Sequence, residues 1–355
     1  MHTISGKTPK YARGFSIVEL MVAMTLSLIL LAGVLSVLYS SKLTYMENER
    51  TARIQENARG AMEFLLRDLR ASGYRGCSQG IVASDYRNAL ANPTSLINDF
   101  RNPVQGFEST GGGVWSPDPA AAGVVNAGSL DPGSDVVVIR SYRPGNLIGR
   151  VNADMTTGTG TLSVDKANNS SWGTNTRFVL SDCDLISVFA ATPINNTATT
   201  TDLARPVSAG SNLTTDIGRF NAGALVTPVV TAQYFIQDTD LAPGPANYRP
   251  SLFRSINGAA PEELVEGVEI LQARYGIDDA GEVTTIDQYV TADAVPDWNR
   301  VVAVNLGMLI RSPEETGTDV DPATYDVLGT VVGPFNDRRQ RTLLTTTITL
   351  RNRTK

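Results

Sequence analysis

The sequence predicts an α+β protein: one long N-terminal α-helix followed by a mostly antiparallel β head with long loops. Three observations carry this. Residues 15–39 form an apolar run whose only formal charge is Glu19. The run passes, with no proline before Pro93, into a stretch with apolar residues at helical spacing. Beyond residue 130, short β-branched or alternating segments recur between Gly, Pro, Asn and Asp punctuation, the pattern of strands joined by turns.

The helix divides into two halves by composition. At about 1.5 Å per residue the 25 residues from 15 to 39 span roughly 37 Å, enough to cross a hydrocarbon core of about 30 Å. Upstream lie Lys7, Lys10 and Arg13 and no acidic residue, a charge bias that keeps this end cytoplasmic and sends everything after residue 39 outward. A secretory signal would close its apolar core with a small-residue cleavage site. Here the run ends at Tyr39-Ser40-Ser41-Lys42, which offers none. In the second half, residues 40–72, Ile54, Ala58, Ala61, Met62, Leu65 and Leu69 recur at three- and four-residue spacing, with Arg53, Glu56, Arg59, Glu63 and Arg67 between them. Glu49–Arg53 and Glu63–Arg67 are i,i+4 pairs in the favourable order. Ser72-Gly73 supplies the stop, so residues 15–71 make one helix of roughly 85 Å.

Residues 77–131 are punctuated too often for long elements and read as loops, short strands and one short helix. Strands follow at residues 135–140, 161–164, 177–180 and 185–190. The Thr-, Asn- and Ala-rich residues 192–216 read as a long surface excursion. Residues 229–237 form a strand with 252–256 as its partner. Residues 266–277 read as one strand ending in the turn Asp278-Asp279-Ala280-Gly281, and residues 301–311 as a long central strand. In the closing strand, residues 342–350, Leu344, Thr346, Ile348 and Leu350 alternate with Thr345, Thr347 and Thr349.

Composition excludes several chemistries. The only histidine is His2, ahead of the apolar run. Ser-His-Asp and Cys-His catalysis and imidazole zinc sites are therefore out of reach for the rest of the chain, and neither an enzyme nor a cofactor is expected. Asp319, Asp321 and Asp326, and Asp278, Asp279 and Glu282, do not follow the EF-hand spacing and read as solvated turns, not a metal site. The formal charge is −6, which argues against general polyanion binding. Arg338, Arg339, Arg341, Arg351, Arg353 and Lys355 make the C-terminus locally basic, without the aromatic set that would stack nucleic-acid bases. An acidic neighbouring subunit or plain solvation fits better. The two cysteines, Cys77 and Cys183, lie in the part expected outside the cytoplasm, where one disulfide is the expectation and two separate buried thiols the alternative.

The junction Gly14-Phe15-Ser16-Ile17-Val18-Glu19, behind its basic leader, resembles the class III leader of type IV prepilins. The resemblance implies cleavage between Gly14 and Phe15 by prepilin peptidase, methylation of the new amino group, and a registration role for Glu19. A carboxylate inside an apolar span is functional by default. Glu19 either reaches water near the interface or pairs with the Phe15 ammonium of a neighbouring subunit. Gly73-Tyr74-Arg75-Gly76-Cys77, Ser181-Asp182-Cys183, Leu264-Val265-Glu266-Gly267-Val268-Glu269, Arg274-Tyr275-Gly276 and Leu350-Arg351-Asn352-Arg353 occur in this order and together resemble PilW-type minor pilins. That implies three parts: a leader (1–14), a long helix (15–75) and a periplasmic or extracellular head (76–355). It also implies residence in the bacterial inner membrane before assembly. The chain would then join other minor pilins in a complex that initiates the pilus, near its tip, in support of twitching, attachment or DNA uptake. Two alternatives stay open: an adhesive or ligand-binding module displayed at the tip, and a minor pseudopilin of type II secretion. The latter relatives are usually shorter and lack the Arg-Asn-Arg ending.

Overall fold

In the computed structural model the described residues are 14, 16–74, 86–142, 148–165, 172–173, 175–208, 210–239, 248–280, 285–315 and 320–352. Helix α1 (Ile17–Ala71) opens the chain. Two compact units divide between Arg53 and Ile54. The first unit contains the apolar half of α1, whose large side chains from Ile17 to Tyr45 are all exposed. This half has no amphipathic period because it has no polar face to turn outward.

The second unit begins with the rear of α1 and carries the head. Its strands are β1 (Tyr86–Asn88), β2 (Val104–Gly111), β3 (Val114–Ser116), β4 (Val136–Tyr142), β5 (Gly149–Arg150), β6 (Leu162–Asp165) and β7 (Thr176–Ser181). Then come β8 (Ile186–Ala191), β9 (Ile194–Asn196), β10 (Thr200–Leu203), β11 (Leu225–Asp238), β12 (Pro250–Ile256) and β13 (Glu262–Glu266). The chain closes with β14 (Val268–Ile277), β15 (Gln288–Val290), β16 (Val301–Arg311), β17 (Tyr325–Val327), β18 (Thr330–Val332) and β19 (Arg341–Thr349). A four-residue helix, α2 (Pro119–Ala122), follows β3, capped by the Asp118 carboxylate on Ala120 N and ended by Gly123 at φ 90°.

The long β11 organises the first sheet. Its early residues pair with β5 and β7 and its later ones with β4 and β12. The sheet runs β1-β8-β7-β11-β4-β2-β3, with β13 added on β12. Its ladders are antiparallel except β1–β8. The second sheet, β15-β14-β16-β19, is antiparallel throughout. A smaller sheet, β6-β10-β9, and the hairpin β17–β18 complete the head.

Ile54, Ala58, Ala61, Met62, Leu65 and Leu69 form the buried stripe of α1. They share one core with Val137, Ile139, Tyr234 and Leu252 of the first sheet and Leu271, Tyr275, Leu306 and Ile348 of the second. At about 1.5–3 kcal/mol for each large side chain taken from water, this stripe is the main bond between helix and sheets. A separate core around Trp172, Phe178, Phe189, Leu203 and Phe220 supports the far side of the first sheet.

Two sequence expectations need correction. The strand expected over residues 266–277 is β14 from Val268 to Ile277, but Glu266 ends β13 and the chain turns at Gly267, so the two lie in different sheets. Residues 192–216 are not only a surface excursion. β9 and β10 lie within them, and Thr201, Leu203, Arg205, Ser211 and Asn212 are buried. The Asn212 side chain takes a bond from Ala190 N and gives one to Ala190 O, each 2.8 Å, replacing a strand partner for β8.

Candidate functional site

At the front of the chain Gly14 is exposed, with no atom within 4 Å of where a Cβ would stand. Phe15 lies outside the described residues, as do the leader residues 1–13. Ser16 starts α1: its Oγ accepts from Val18 N at 3.3 Å and its carbonyl from Leu20 N at 3.1 Å. Glu19 lies in the first turn of the helix, exposed, and makes no ion pair among the described residues. Two other polar side chains of this half satisfy themselves. Thr25 Oγ1 donates to Val22 O (2.9 Å) and Ser27 Oγ to Ala23 O (2.7 Å). Back-bonding of this kind spares these two hydroxyls the need for water. Among the described residues α1 is the helix long and apolar enough to cross a membrane. The surface is thus apolar on all sides, with one carboxylate near its start.

The rear of α1 is fixed by polar contacts as well as packing. Asp68 is buried, and Tyr234 of β11 donates its hydroxyl to Asp68 Oδ2 at 2.7 Å. Burial, followed by the adjacent carboxylate, pushes the Tyr234 phenol well above its ordinary value. Asn57 Nδ2 donates to Glu266 O at 3.1 Å. At the C-terminus of α1, Asn352 Nδ2 donates to Ser72 O at 2.8 Å and Arg70 O at 3.4 Å, supplying a donor where helix carbonyls lack one.

The residues that carry the family resemblance serve this seat. Gly267 has φ +85°, and a Cβ there would stand 2.7 Å from Arg311 O. A side chain is therefore excluded by conformation and by space. Gly267 N donates to Pro250 O (2.9 Å), and Arg311 N to Gly267 O (2.8 Å), so this glycine is the corner between the sheets. Just after it, buried Glu269 binds Arg341 (2.7 Å) and Arg311 (3.3 Å), and Asp337 clasps Arg341 with both oxygens (2.6 and 2.7 Å). The Arg341 contact holds the Asp337 carboxyl below its usual range. Arg274 holds Glu108 at 2.9 and 3.1 Å. The Tyr275 ring fills the space over Gly106, where a Cβ would clash with its hydroxyl, and meets Trp298 edge-on at 4.8 Å.

Beside that pair sits Asp135, buried and accepting from Ser109 N (2.8 Å) and Ala273 N (2.9 Å), one sheet on each side. Burial and then Glu108 push its carboxyl up to about 7. Burial likewise pushes Asp131, which accepts from the Tyr248 hydroxyl, up to about 6.

Sequence reasoning singled out Gly14, Phe15, Glu19, Cys77 and Cys183. Gly14 and Glu19 are placed as described above. Cys77 lies outside the described residues; Cys183 is exposed in the turn after β7, and the described residues include no free cysteine. Asp321 and Asp326 serve turns, accepting from Ala323 N and Gly329 N; Asp278, expected in a solvated turn, is buried, and Asp319 and Glu282 lie outside the described residues. Asn57, Asp68, Asp135 and Tyr234 were missed. The one signal for Asp68 was an acid on the apolar stripe one residue before Leu69.

Residues 233–352 match the family described as type IV pilus-assembly protein W. This span takes in the second half of β11, the Gly267 corner and Asn352. Residues 9–35 match the prokaryotic N-terminal methylation motif, spanning Gly14 and Glu19. The type IV-like pilin TTHA1219 from Thermus thermophilus is similar at 17% identity, over 52% of this chain and 86% of that chain, with a TM-score of 0.21. No curated protein matches the chain. The two family matches, one at each end, support reading the chain as a PilW-type minor pilin with a class III leader motif.

Proposed function

We propose that this minor pilin joins other minor pilins in the complex that starts a type IV pilus and remains near the tip of the fibre. Before assembly it rests in the inner membrane through residues 15–39, with its head in the periplasm. Prepilin peptidase cuts after Gly14, and Phe15 becomes the methylated first residue. The observation that carries this reading is the front of α1, apolar on every side and bearing Glu19 alone among charges. Such a surface needs either lipid or other helices like itself around it. A bare carboxylate in that setting is stabilised by a neighbour's terminal ammonium only when the two meet in good geometry, which fixes the stagger of one helix on the next. Cys77 and Cys183 close a disulfide loop of about 100 residues, worth up to about 4.7 kcal/mol in the chain-entropy account.

Two measurements test the reading. Mass spectrometry of the cell-derived chain is expected to find Phe15, methylated, at the N-terminus; a chain beginning at Met1, or past Tyr39, overturns it. Deletion of the gene is expected to abolish piliation. Normal pili with lost surface attachment would assign the head to adhesion instead.

A further inference from the structure

We propose that the outer edge of β19 is a docking edge that accepts an extended, acid-flanked strand from the head of another pilin. This inference rests on the minor-pilin reading above and goes further by naming the surface and the chemistry of its occupant. In an antiparallel ladder, residues that exchange both backbone bonds alternate with residues whose N–H and C=O point the other way. Leu350 N donates to Val302 O and Ser312 N to Gln340 O, each at 2.8 Å. With the register Arg311↔Arg341 through Ala303↔Thr349, this turns the even-numbered residues of β19 toward β16. The backbone groups of Leu343, Thr345, Thr347 and Thr349 therefore face outward. The side chains of these four are exposed, and β19 has no strand beyond it among the described residues.

Exposed edges are normally blunted by shortness, charge, proline or a bulge. Among the described residues the other edges are blunted. β1, β3 and β15 have three residues each, and β13 carries Glu262, Glu263 and Glu266 and pairs with β12 through a bulge. β19 is nine residues long, regular against β16, and has no proline and no charge after Arg341. A threonine-rich edge of this kind suits strand addition, in which main-chain bonds give affinity and flanking side chains give selectivity.

Charge identifies the occupant. Residues 338–355 contain six basic side chains and no acidic one, in a chain of formal charge −6. Arg341 is consumed by Glu269 and Asp337, whereas Arg338 and Arg351 are exposed, one beyond each end of the strand. A strand with acidic residues near both ends matches this frame, and a basic or proline-broken one does not.

The test places the photoreactive residue p-benzoylphenylalanine at Thr347 of the full chain, in cells that assemble the pilus, and maps the adducts by mass spectrometry. The expected adduct lies in a strand of another pilin's head with acidic flanking residues. Adducts confined to this chain, to a pilin helix or to nucleic acid overturn the proposal, as does the absence of any. A second arm adds Thr345→Pro, which removes an outward N–H without touching the β16 ladder. It is expected to lower adduct yield about ten-fold by leaving a partner carbonyl unpaired, while Thr345→Val leaves the yield unchanged. Should Thr345→Pro lower the melting temperature, Thr345→Lys gives the same reading with the backbone intact. A chain that is cleaved before Phe15 and holds other pilins, yet loses no adduct in these variants, overturns the docking edge alone. A chain neither cleaved nor associated with pilins overturns both readings.

Discussion

Two halves of one helix solve opposite problems. The front of α1 exposes Leu28, Leu31, Leu35 and their neighbours, and its one carboxylate, Glu19, has no ion pair among the described residues. The rear buries Leu65 and Leu69 against two sheets, and its buried carboxylate, Asp68, takes the Tyr234 hydroxyl at 2.7 Å. Both halves belong to one continuous helix, so what separates them is where the second partner comes from. The rear finds its partner within the chain. On the proposed reading the front takes its partner from lipid or another subunit, and Glu19 stays unpaired until assembly.

The largest effect follows from that difference. Glu19→Ala is expected to leave the chain inserted and cleaved, with an unchanged melting temperature. Its recovery in sheared filaments should fall steeply, since removing one member of a buried ion pair costs about 3–5 kcal/mol. Normal recovery would break the comparison, because Glu19 would then need no partner at all. Next comes a matched pair of truncations. Leu65→Ala, at a side chain with no exposure, is expected to destabilise the head by about 2–5 kcal/mol. Leu28→Ala, 65% exposed, should leave the melt of the detergent-solubilised chain unmoved. Equal effects would mean the front has a partner within the chain. Tyr234→Phe is expected to cost about 1–3 kcal/mol, because it takes the hydroxyl donor from the buried Asp68 carboxylate and leaves it only Arg67 at 3.6 Å. Denaturant titration in detergent reads all three.

The rear of the helix was legible because Ile54, Ala58, Ala61, Leu65 and Leu69 repeat with the helical period, and a period is a local property. β16 was legible for a similar reason: eleven residues, Val301–Arg311, apolar almost throughout. What was hidden depends on partners far along the chain. Gly267 was visible as a motif residue, but nothing local says that the chain changes sheets there. That follows from Pro250 and Arg311, which bind its two sides. Residues 192–216 looked solvent-facing because Thr and Asn dominate. Asn212 is nonetheless buried, since its amide completes the ladder of β8. The same holds for Asp135, in sequence only the acid that begins a strand, whose two backbone donors come from residues 109 and 273. Of the candidate site, the junction around Gly14 and Glu19 was legible as a motif, because a methylation motif is a local run of residues, here matched over residues 9–35.

The buried acids of the head give a prediction with a definite sign. Asp135 and Asp131 are raised from an ordinary 3.8 to about 7 and about 6. Between those limits the unfolded chain has released these protons and the folded chain has not. Stability is therefore greatest near the lower limit and falls as pH rises toward 7. Melting of the solubilised chain at fixed ionic strength should decline from pH 4.5 to pH 7.5, and Asp135→Asn should flatten the slope. Asp337, lowered by Arg341, acts in the opposite sense but only below that window. A melting temperature that rises across the interval would assign Asp135 an ionised form held by Ser109 N and Ala273 N.

The smallest effect sharpens the contrast from the other side. Glu49 and Arg53 pair at 2.8 Å in the second half of α1, ahead of its buried stripe, both well exposed at 44% and 66%. The spacing and order are favourable, but water screens the attraction, and holding two long side chains together offsets much of what remains. Glu49→Ala is expected to change stability by no more than about 0.5 kcal/mol, and less at high salt. It should change filament recovery far less than Glu19→Ala, although both remove one carboxylate from the same helix. Their separation in effect would follow from surroundings alone: Glu49 keeps water as its alternative partner, and Glu19, once helices close around it, does not. If Glu49→Ala instead reduced filament recovery as strongly as Glu19→Ala, residues near 49 would also meet a neighbouring subunit, and the boundary of the assembly surface would move back toward Ile54.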